Sequence, residues 1–121
     1  MASTFVTLRN PLGSLVFQEN GLTNTPVQMA TSEQTYYHFE LDNTANSAIT
    51  YYKFYIKATA PTVNSETPRF IVPVPAATKV YMTLPLGLNQ TTGTFVIATS
   101  TLASATAQSA PSSAVSLSVL G

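Results

Sequence analysis

The sequence has no cysteine and no tryptophan, and it carries a single histidine. Without cysteine there are no disulfide bonds, no thiol catalysis and no cysteine-ligated metal, and the redox compartment stays undetermined. Charged residues make up only 8% of the 121 residues, against roughly 25% in ordinary soluble domains. Five basic residues balance five acidic ones. A neutral chain has no long-range field that would attract nucleic acid, so we expect no nucleic-acid partner.

Long apolar runs are missing as well. No run approaches the roughly 20 residues that a helix needs to span a bilayer. The segment 1–10 also lacks the basic start and the apolar core of a signal peptide. We therefore expect no membrane partner and a protein that is made in the cytoplasm without passing through a secretion channel.

The polar part of the sequence consists mainly of threonine, serine, asparagine and glutamine. A surface built from these residues lacks the like-charge repulsion that keeps a free monomer dispersed. Two interpretations fit this composition equally well. One is a subunit of a larger assembly, as a homo-oligomer or a multi-copy component, and the other is an extracellular β domain with a hydroxyl-rich surface.

Alternation of apolar and polar residues with a period of two recurs along most of the chain, and helical periodicity is absent. The predicted strands cover residues 4–9, 14–18, 34–42, 50–57, 69–74, 78–84, 93–99 and 114–120. This spacing predicts an all-β fold, a single antiparallel two-sheet β-sandwich over residues 1–121 with a less patterned segment 1–33. We expect an immunoglobulin-like sandwich, with a jelly roll as the alternative.

Two further features concern the edges and connections of this sandwich. Pro73 and Pro75 cannot donate to a strand ladder, so their run is expected at a sheet edge or in an extended crossover. The segments 21–33 and 99–113 have no apolar pattern and are predicted to be long connections. We expect them to lie on adjacent subunits and to become ordered there.

Side chains alternate between the two faces of a strand, which separates a predicted core from a predicted surface. The predicted core is Tyr37, Phe39, Leu41, Tyr52, Phe54, Ile56, Val80, Met82 and Leu84. The opposite faces carry the predicted protein interface, which is Tyr36, Tyr51, Lys53, Tyr55, Lys57 and Tyr81. Tyrosine is enriched in interfaces because its ring is apolar and its hydroxyl forms hydrogen bonds. Rings that lie across neighbouring side chains, or that stack on a sugar, are the alternatives.

No residue pattern points to catalysis. His38 lies beside Glu40 on one face of its strand, where a solvated pair is far more common than an acid–base pair. The nucleophile motif G-x-S-x-G does not occur, and neither zinc-type nor calcium-type ligand clusters are present. We expect no enzyme activity, no catalytic residue, no cofactor and no metal site.

A resemblance adds a biological setting. The stretch YYKFYIKATAPTVNSETPRFIVPVPA from Tyr51, with the later stretch LPLGLNQTTGTFVIATS, resembles small structural proteins of tailed bacteriophages. These share K-F-Y or K-x-Y, then K-A-T-A-P-T-V, T-P, a proline-bearing strand, P-x-G-L and a T-G strand. The resemblance covers residues 35–99. Here Ala76, Ala77 and Thr78 replace the usual glycine-rich turn.

This resemblance implies a virion component with an immunoglobulin-like sandwich, most often a capsid cement or decoration protein. It implies a major capsid protein or another virion protein as partner, and a location in the virion after synthesis in the bacterial host cytoplasm. The alternative is a tail- or fibre-associated immunoglobulin-like adhesin module that binds a host-surface glycan. No catalytic residues come with the resemblance.

Overall fold

The structure, a computed structural model, describes residues 14–121. They form eight strands: β1 (Leu15–Leu22), β2 (Val27–Ala30), β3 (Gln34–Asp42), β4 (Thr50–Ile56), β5 (Phe70–Val74), β6 (Lys79–Gln90), β7 (Thr94–Thr99) and β8 (Val115–Leu120). This part of the chain contains no helix, so none that could cross a membrane. The strand predicted at residues 4–9 lies outside the described residues.

The strands form two antiparallel sheets, which confirms the predicted two-sheet β-sandwich. Sheet A has the order β1-β8-β3-β6 and sheet B has the order β2-β7-β4-β5. The pairing is nested: β4 pairs with β5, β3 with β6, β2 with β7 and β1 with β8. The chain therefore resembles one long hairpin, bent at the β4–β5 connection and rolled up, with β3–β8 and β4–β7 contacts closing the roll.

This nested order is that of a jelly roll, the alternative that the sequence left open. In the immunoglobulin order the first two strands are neighbours in the same sheet. Here β1 and β2 lie in different sheets. Alternation in a sequence locates strands but does not report which strands are neighbours, so it could not distinguish the two orders.

Strand bounds differ from the prediction at β2 and at the ends of β1 and β6. Strand β1 continues to Leu22 instead of ending at residue 18. The short strand β2 lies inside the segment 21–33, which was predicted to be a connection. Its buried side chain is Met29, with Val27 partly buried against the core, and four residues are too few to show a clear period. Strand β6 continues to Gln90 instead of ending at Leu84, because the chain rejoins β3 after an interruption.

That interruption is a wide bulge in β6. Tyr36 pairs with Leu88, whereas His38 pairs with Thr83, so Tyr37 alone lies opposite residues 84–87. Gly87 closes the bulge with a φ of 75°. A Cβ atom at Gly87 would lie 2.6 Å from the Thr35 side chain and 2.8 Å from the Tyr37 ring. Only glycine combines that backbone conformation with such a close approach.

The bulge shifts the alternation of β3, and the predicted orientations of two neighbouring residues are therefore wrong. Tyr36, predicted to face outward, is 1% exposed in the core, and Tyr37, predicted to lie in the core, is 37% exposed. Beyond the irregularity the alternation matches the prediction, with Phe39 and Leu41 fully buried. A bulge in a partner strand leaves no trace in the sequence of β3, which explains the error.

The main core fills the space between the sheets. Phe54 stacks on Phe70 with ring centroids 4.5 Å apart and contacts Phe39 edge to face at 5.6 Å. Of the predicted core, Phe39, Leu41, Tyr52 and Phe54 are fully buried, which confirms them. Val80, Met82 and Leu84 are partly buried against this core, and Ile56 is half-buried.

Asparagine side chains tie the connections to one end of the sandwich. The buried Asn43 side chain donates to the carbonyl oxygens of Ala48 and Val74 and accepts from the Thr50 hydroxyl. Asn46 donates to Asn43 and to the carbonyl oxygen of Ser113. These bonds join the β3–β4 turn to β5 and to the chain before β8. Strand β5 is an edge strand of sheet B, which confirms the placement predicted from its prolines.

Candidate interaction surfaces

The outer face of sheet B, where four of the six predicted interface residues were placed, is covered by the chain itself. Residues 57–69 and 100–114 lie over β4 and β7 and contribute hydrogen bonds and apolar contacts. Tyr55, Phe95 and Ile97 form a second hydrophobic cluster there, packed against Val63. Every residue of β7 is buried. This face is therefore not available to a partner.

Lys53 shows the effect of the covering segments. It is 0% exposed, and its Nζ donates to the carbonyl oxygen of Ala103 at 2.8 Å and to Oε1 of Gln108 at 2.6 Å. Gln108 in turn donates to the carbonyl oxygens of Ala103 and Thr106. Burial lowers the pKa of Lys53. The predicted exposure of Lys53 is wrong because a segment without apolar pattern folds back over it.

The other predicted residues of β4 are also less exposed than expected. Tyr55 is 2% exposed in the second cluster, so its predicted exposure is wrong for the same reason. Tyr51 is half-buried, and so is Lys57. The Lys57 Nζ lies 2.6 Å from Oε1 of Glu66, and this hydrogen bond holds the pKa of Glu66 below its usual value.

The segment 100–114 is ordered by contacts with its own chain, whereas contact of residues 99–113 with adjacent subunits stays a prediction. Besides holding Lys53, it bonds to its own chain through Thr99, whose hydroxyl donates to the carbonyl oxygen of Ser109 at 2.7 Å. The backbone N–H of Gln108 donates to Oδ1 of Asn64 in the other covering segment. Polar contacts of this kind have no sequence period, although they order the segment.

The outer face of sheet A carries the exposed aromatic residue of the predicted set. Tyr81 is 60% exposed, and its ring stacks on His38 at 6.1 Å between centroids. Nζ of Lys79 lies 5.6 Å from the centre of the Tyr81 ring and pairs with Glu40. Of the six predicted interface residues, Tyr81 is the one that stands out from the surface.

Apolar residues extend this face toward the start of β1. Leu15 pairs with Leu120, which in turn pairs with His38, and His38 pairs with Thr83. Leu15 is 57% exposed. The Nδ1 atom of His38 lies 3.0 Å from the Thr83 hydroxyl. The row Leu15, Leu120, His38 and Thr83, with Tyr81 beside it, is called the sheet A face below.

Two cavities meet at Arg69, one between the edge strands β5 and β6 and the other between the end of β4 and the β4–β5 connection. The first, called the edge groove below, has a volume of about 380 Å³ and is lined by Arg69, Phe70, Met82, Leu84, Leu88, Asn89 and Gln90. The second, of about 470 Å³, is polar and is lined by Tyr55, Ile56, Lys57, Glu66, Thr67, Pro68 and Arg69. Arg69 lines both cavities.

The edge groove was not anticipated from the sequence. Its signal is the run LPLGL from Leu84, whose apolar residues continue past the predicted end of the strand. Arg69 had no special pattern around it. Within residues 14–121, no group of three or more histidine, aspartate or glutamate side chains is placed to hold a metal ion.

Comparison with protein-family models, with curated proteins and with solved structures finds no match to this chain. The interaction surfaces are therefore interpreted from their own geometry and chemistry.

Proposed function

We propose that this protein is a non-enzymatic structural protein of a bacteriophage virion, a capsid decoration protein that binds the major capsid protein through the sheet A face. The observation that carries the proposal is the difference between the two outer faces. The chain covers the outer face of sheet B with its own segments, whereas the sheet A face presents Tyr81 at 60% exposure.

The chemistry of the sheet A face suits contact with a protein shell. A tyrosine ring can bury a large apolar area while its hydroxyl keeps a hydrogen-bond partner. Charged residues are depleted from interface cores, and this chain has few of them. The Lys79–Glu40 pair beside Tyr81 is exposed, and such pairs contribute only about 0–1 kcal/mol. Binding should thus depend on the ring more than on charge.

The fold is compatible with this role and with its alternative. Jelly rolls occur in viral capsid domains and in lectins, so the fold by itself does not choose between them. One observation favours the alternative of a glycan-binding adhesin module. The exposed Tyr81 ring stacks on the buried His38 and pairs across the strands with Glu40, whose carboxylate could bind sugar hydroxyls while the ring stacks on the sugar.

The proposal is tested by rebinding to stripped particles. Mass spectrometry and microscopy of purified virions would first locate the protein. Wild type, Tyr81→Ala and Leu102→Ala would then be rebound over a salt series. Leu102 is the matched control because it is also 60% exposed but lies in the segment that covers sheet B.

We expect Tyr81→Ala to rebind at least about fivefold more weakly, as truncation of an interface anchor costs more than about 1 kcal/mol. Leu102→Ala should rebind like wild type, with little effect of salt. Absence of the protein from virions, or wild-type rebinding by Tyr81→Ala, would contradict the proposal. Saturable binding on a glycan array that Tyr81→Ala abolishes would favour the adhesin instead.

A further inference from the structure

We propose that the edge groove binds an extended segment of a partner protein in which an apolar side chain lies next to a carboxylate. This inference concerns a different surface from the sheet A face and holds whether or not the partner is a capsid protein.

The floor of the edge groove is apolar and continuous with the core. Phe70, Met82, Leu84 and Leu88 pack against the main core yet remain partly exposed. They come from β5 and β6, which are the last strands of sheet B and sheet A. The side chains of these two edge strands thus leave apolar surface open to solvent. An apolar side chain that entered there would remove this surface from water at about 25 cal/mol per Å².

The positive charge at one end of the groove indicates which group the partner should carry next to that apolar side chain. The lysines of residues 14–121 all have partners: Lys53 is bonded to Ala103 and Gln108, Lys57 to Glu66, and Lys79 to Glu40. Arg69 is exposed, and within the described part of the chain it has no carboxylate in salt-bridge range. Guanidinium groups bind carboxylates with two parallel hydrogen bonds.

The nearest acid does not neutralise Arg69. Glu66 lines the polar cavity together with Arg69, but one of its oxygens bonds to Lys57 and the other to the backbone N–H of Thr62. The net charge at this end of the groove is +1, from the cations Lys57 and Arg69 and the anion Glu66. A carboxylate on the partner would complement that charge.

The strand edges explain why the occupant should be an extended chain. Sheet A ends at β6, which has β3 as its only strand neighbour within residues 14–121. An extended peptide can add to such an edge through its backbone and place alternate side chains in pockets. Each of the two edge strands contains one proline, which cannot donate: Pro73 in β5 and Pro85 in β6. Strand β6 is longer, with 12 residues against 5 in β5, and it lines more of the groove, so β6 is the edge on which the peptide would pair.

The test uses the full chain and three peptides. The first, acetyl-Ser-Leu-Asp-Leu-Ser-amide, has both features. The second replaces Asp with Asn and so lacks the carboxylate, and the third replaces both Leu residues with Ser and lacks the apolar groups. Methyl resonances of Met82, Leu84 and Leu88 report binding by NMR. The protein variants are Arg69→Gln and, as a control that removes one positive charge elsewhere, Lys79→Gln.

We expect the first peptide to shift the three groove methyls at millimolar concentration and the Asn peptide to bind about threefold to fivefold more weakly, as for an exposed ion pair. Arg69→Gln should abolish that difference and Lys79→Gln should keep it. A peptide concentration of about 5 mM detects even weak complexes. If the first peptide does not shift the groove methyls at that concentration, the proposal is overturned. Equal affinity for the first two peptides would overturn it as well. Concentration-dependent shifts without peptide, with a dimer in ultracentrifugation, would identify a second copy as the occupant instead.

Discussion

Buried tyrosines of this chain differ in what their hydroxyl groups contact. The Tyr52 hydroxyl lies 3.0 Å from the carbonyl oxygen of Asp42 and 2.9 Å from that of Ser116, so it links β3 and β8. The Tyr36 hydroxyl is buried and has no partner in good hydrogen-bond geometry, although the Thr94 hydroxyl is near enough to offset part of the burial that raises the pKa of Tyr36. A buried hydroxyl with a partner stabilises the fold, whereas one without a partner costs free energy.

Replacing each of these tyrosines by phenylalanine should therefore have different effects. We expect Tyr52→Phe to lower the free energy of unfolding by about 1–2 kcal/mol, because the buried carbonyl oxygens lose their donor. Tyr36→Phe should leave it unchanged or raise it slightly, since it removes an unpaired polar atom. Urea denaturation measures both. A loss in Tyr36→Phe as large as in Tyr52→Phe would mean that the Tyr36 hydroxyl has a partner in solution.

At the scale of the strand, β6 depends on one residue. Its bulge places Gly87 against Thr35 and Tyr37 of β3 with a positive φ. We expect Gly87→Ala to lower the free energy of unfolding by about 1–3 kcal/mol, because the left-handed backbone and the contact both disfavour a Cβ atom.

Gly21→Ala in β1 is the matched control. A Cβ atom at Gly21 would meet only Oε1 of Glu19, at 3.4 Å. Thermal or urea unfolding should show a loss in Gly87→Ala well above that in Gly21→Ala. Equal losses in the two variants would show that the bulge tolerates a side chain and that the approach of β6 to β3 is looser than described.

At the scale of the whole molecule, burial of phenol groups makes the fold sensitive to alkaline pH. Burial is the main cause that raises the pKa of Tyr36, Tyr52 and Tyr55 above the ordinary 10.0. The unfolded chain therefore releases these protons at lower pH than the folded chain. Their contribution to stability is complete below about pH 10 and is lost as the pH rises further.

Lys53 acts in the opposite direction. Its pKa in the fold is lowered from the ordinary 10.5, so the unfolded chain binds more protons and stability rises with pH up to about 10.5. We expect a net fall in the free energy of unfolding above that pH, because the tyrosines and Lys79, whose pKa is raised by its hydrogen bond to Glu40, bind their protons more tightly in the fold than in the unfolded chain. Urea denaturation across this range, with tyrosinate absorbance, measures it. Ionisation of all tyrosines without loss of the fold would contradict the expectation. In Lys53→Met, the free energy of unfolding should no longer rise as the pH approaches about 10.5.

Alternation predicted the individual strands well because it records a local property. The bounds of β3 were predicted to the residue, and those of β4, β7 and β8 within one residue, since these strands are runs of apolar, aromatic or alternating residues that end at polar connections. The exposure of Tyr36 and Tyr37 was inverted by the glycine bulge in β6, which is distant in sequence. Lys53 and Tyr55 were misplaced because residues 57–69 and 100–114 cover them. To predict the edge groove, one must know which strands lie at the edge of each sheet. The alternation of residues does not carry that information.

The pairing of β1 with β8 has a consequence for how the chain folds. These strands come from opposite ends of the described chain, and their register runs from the pair Leu15 and Leu120 to the pair Leu22 and Val115. During synthesis β1 leaves the ribosome long before β8 has been made. Strand β2 likewise has no partner until β7 has been made. Contacts between such distant residues slow folding, and strands without partners are prone to aggregate. Folding should therefore begin at the central β4–β5 hairpin and finish only when β8 has been synthesised, so the emerging chain exposes unpaired strands until then.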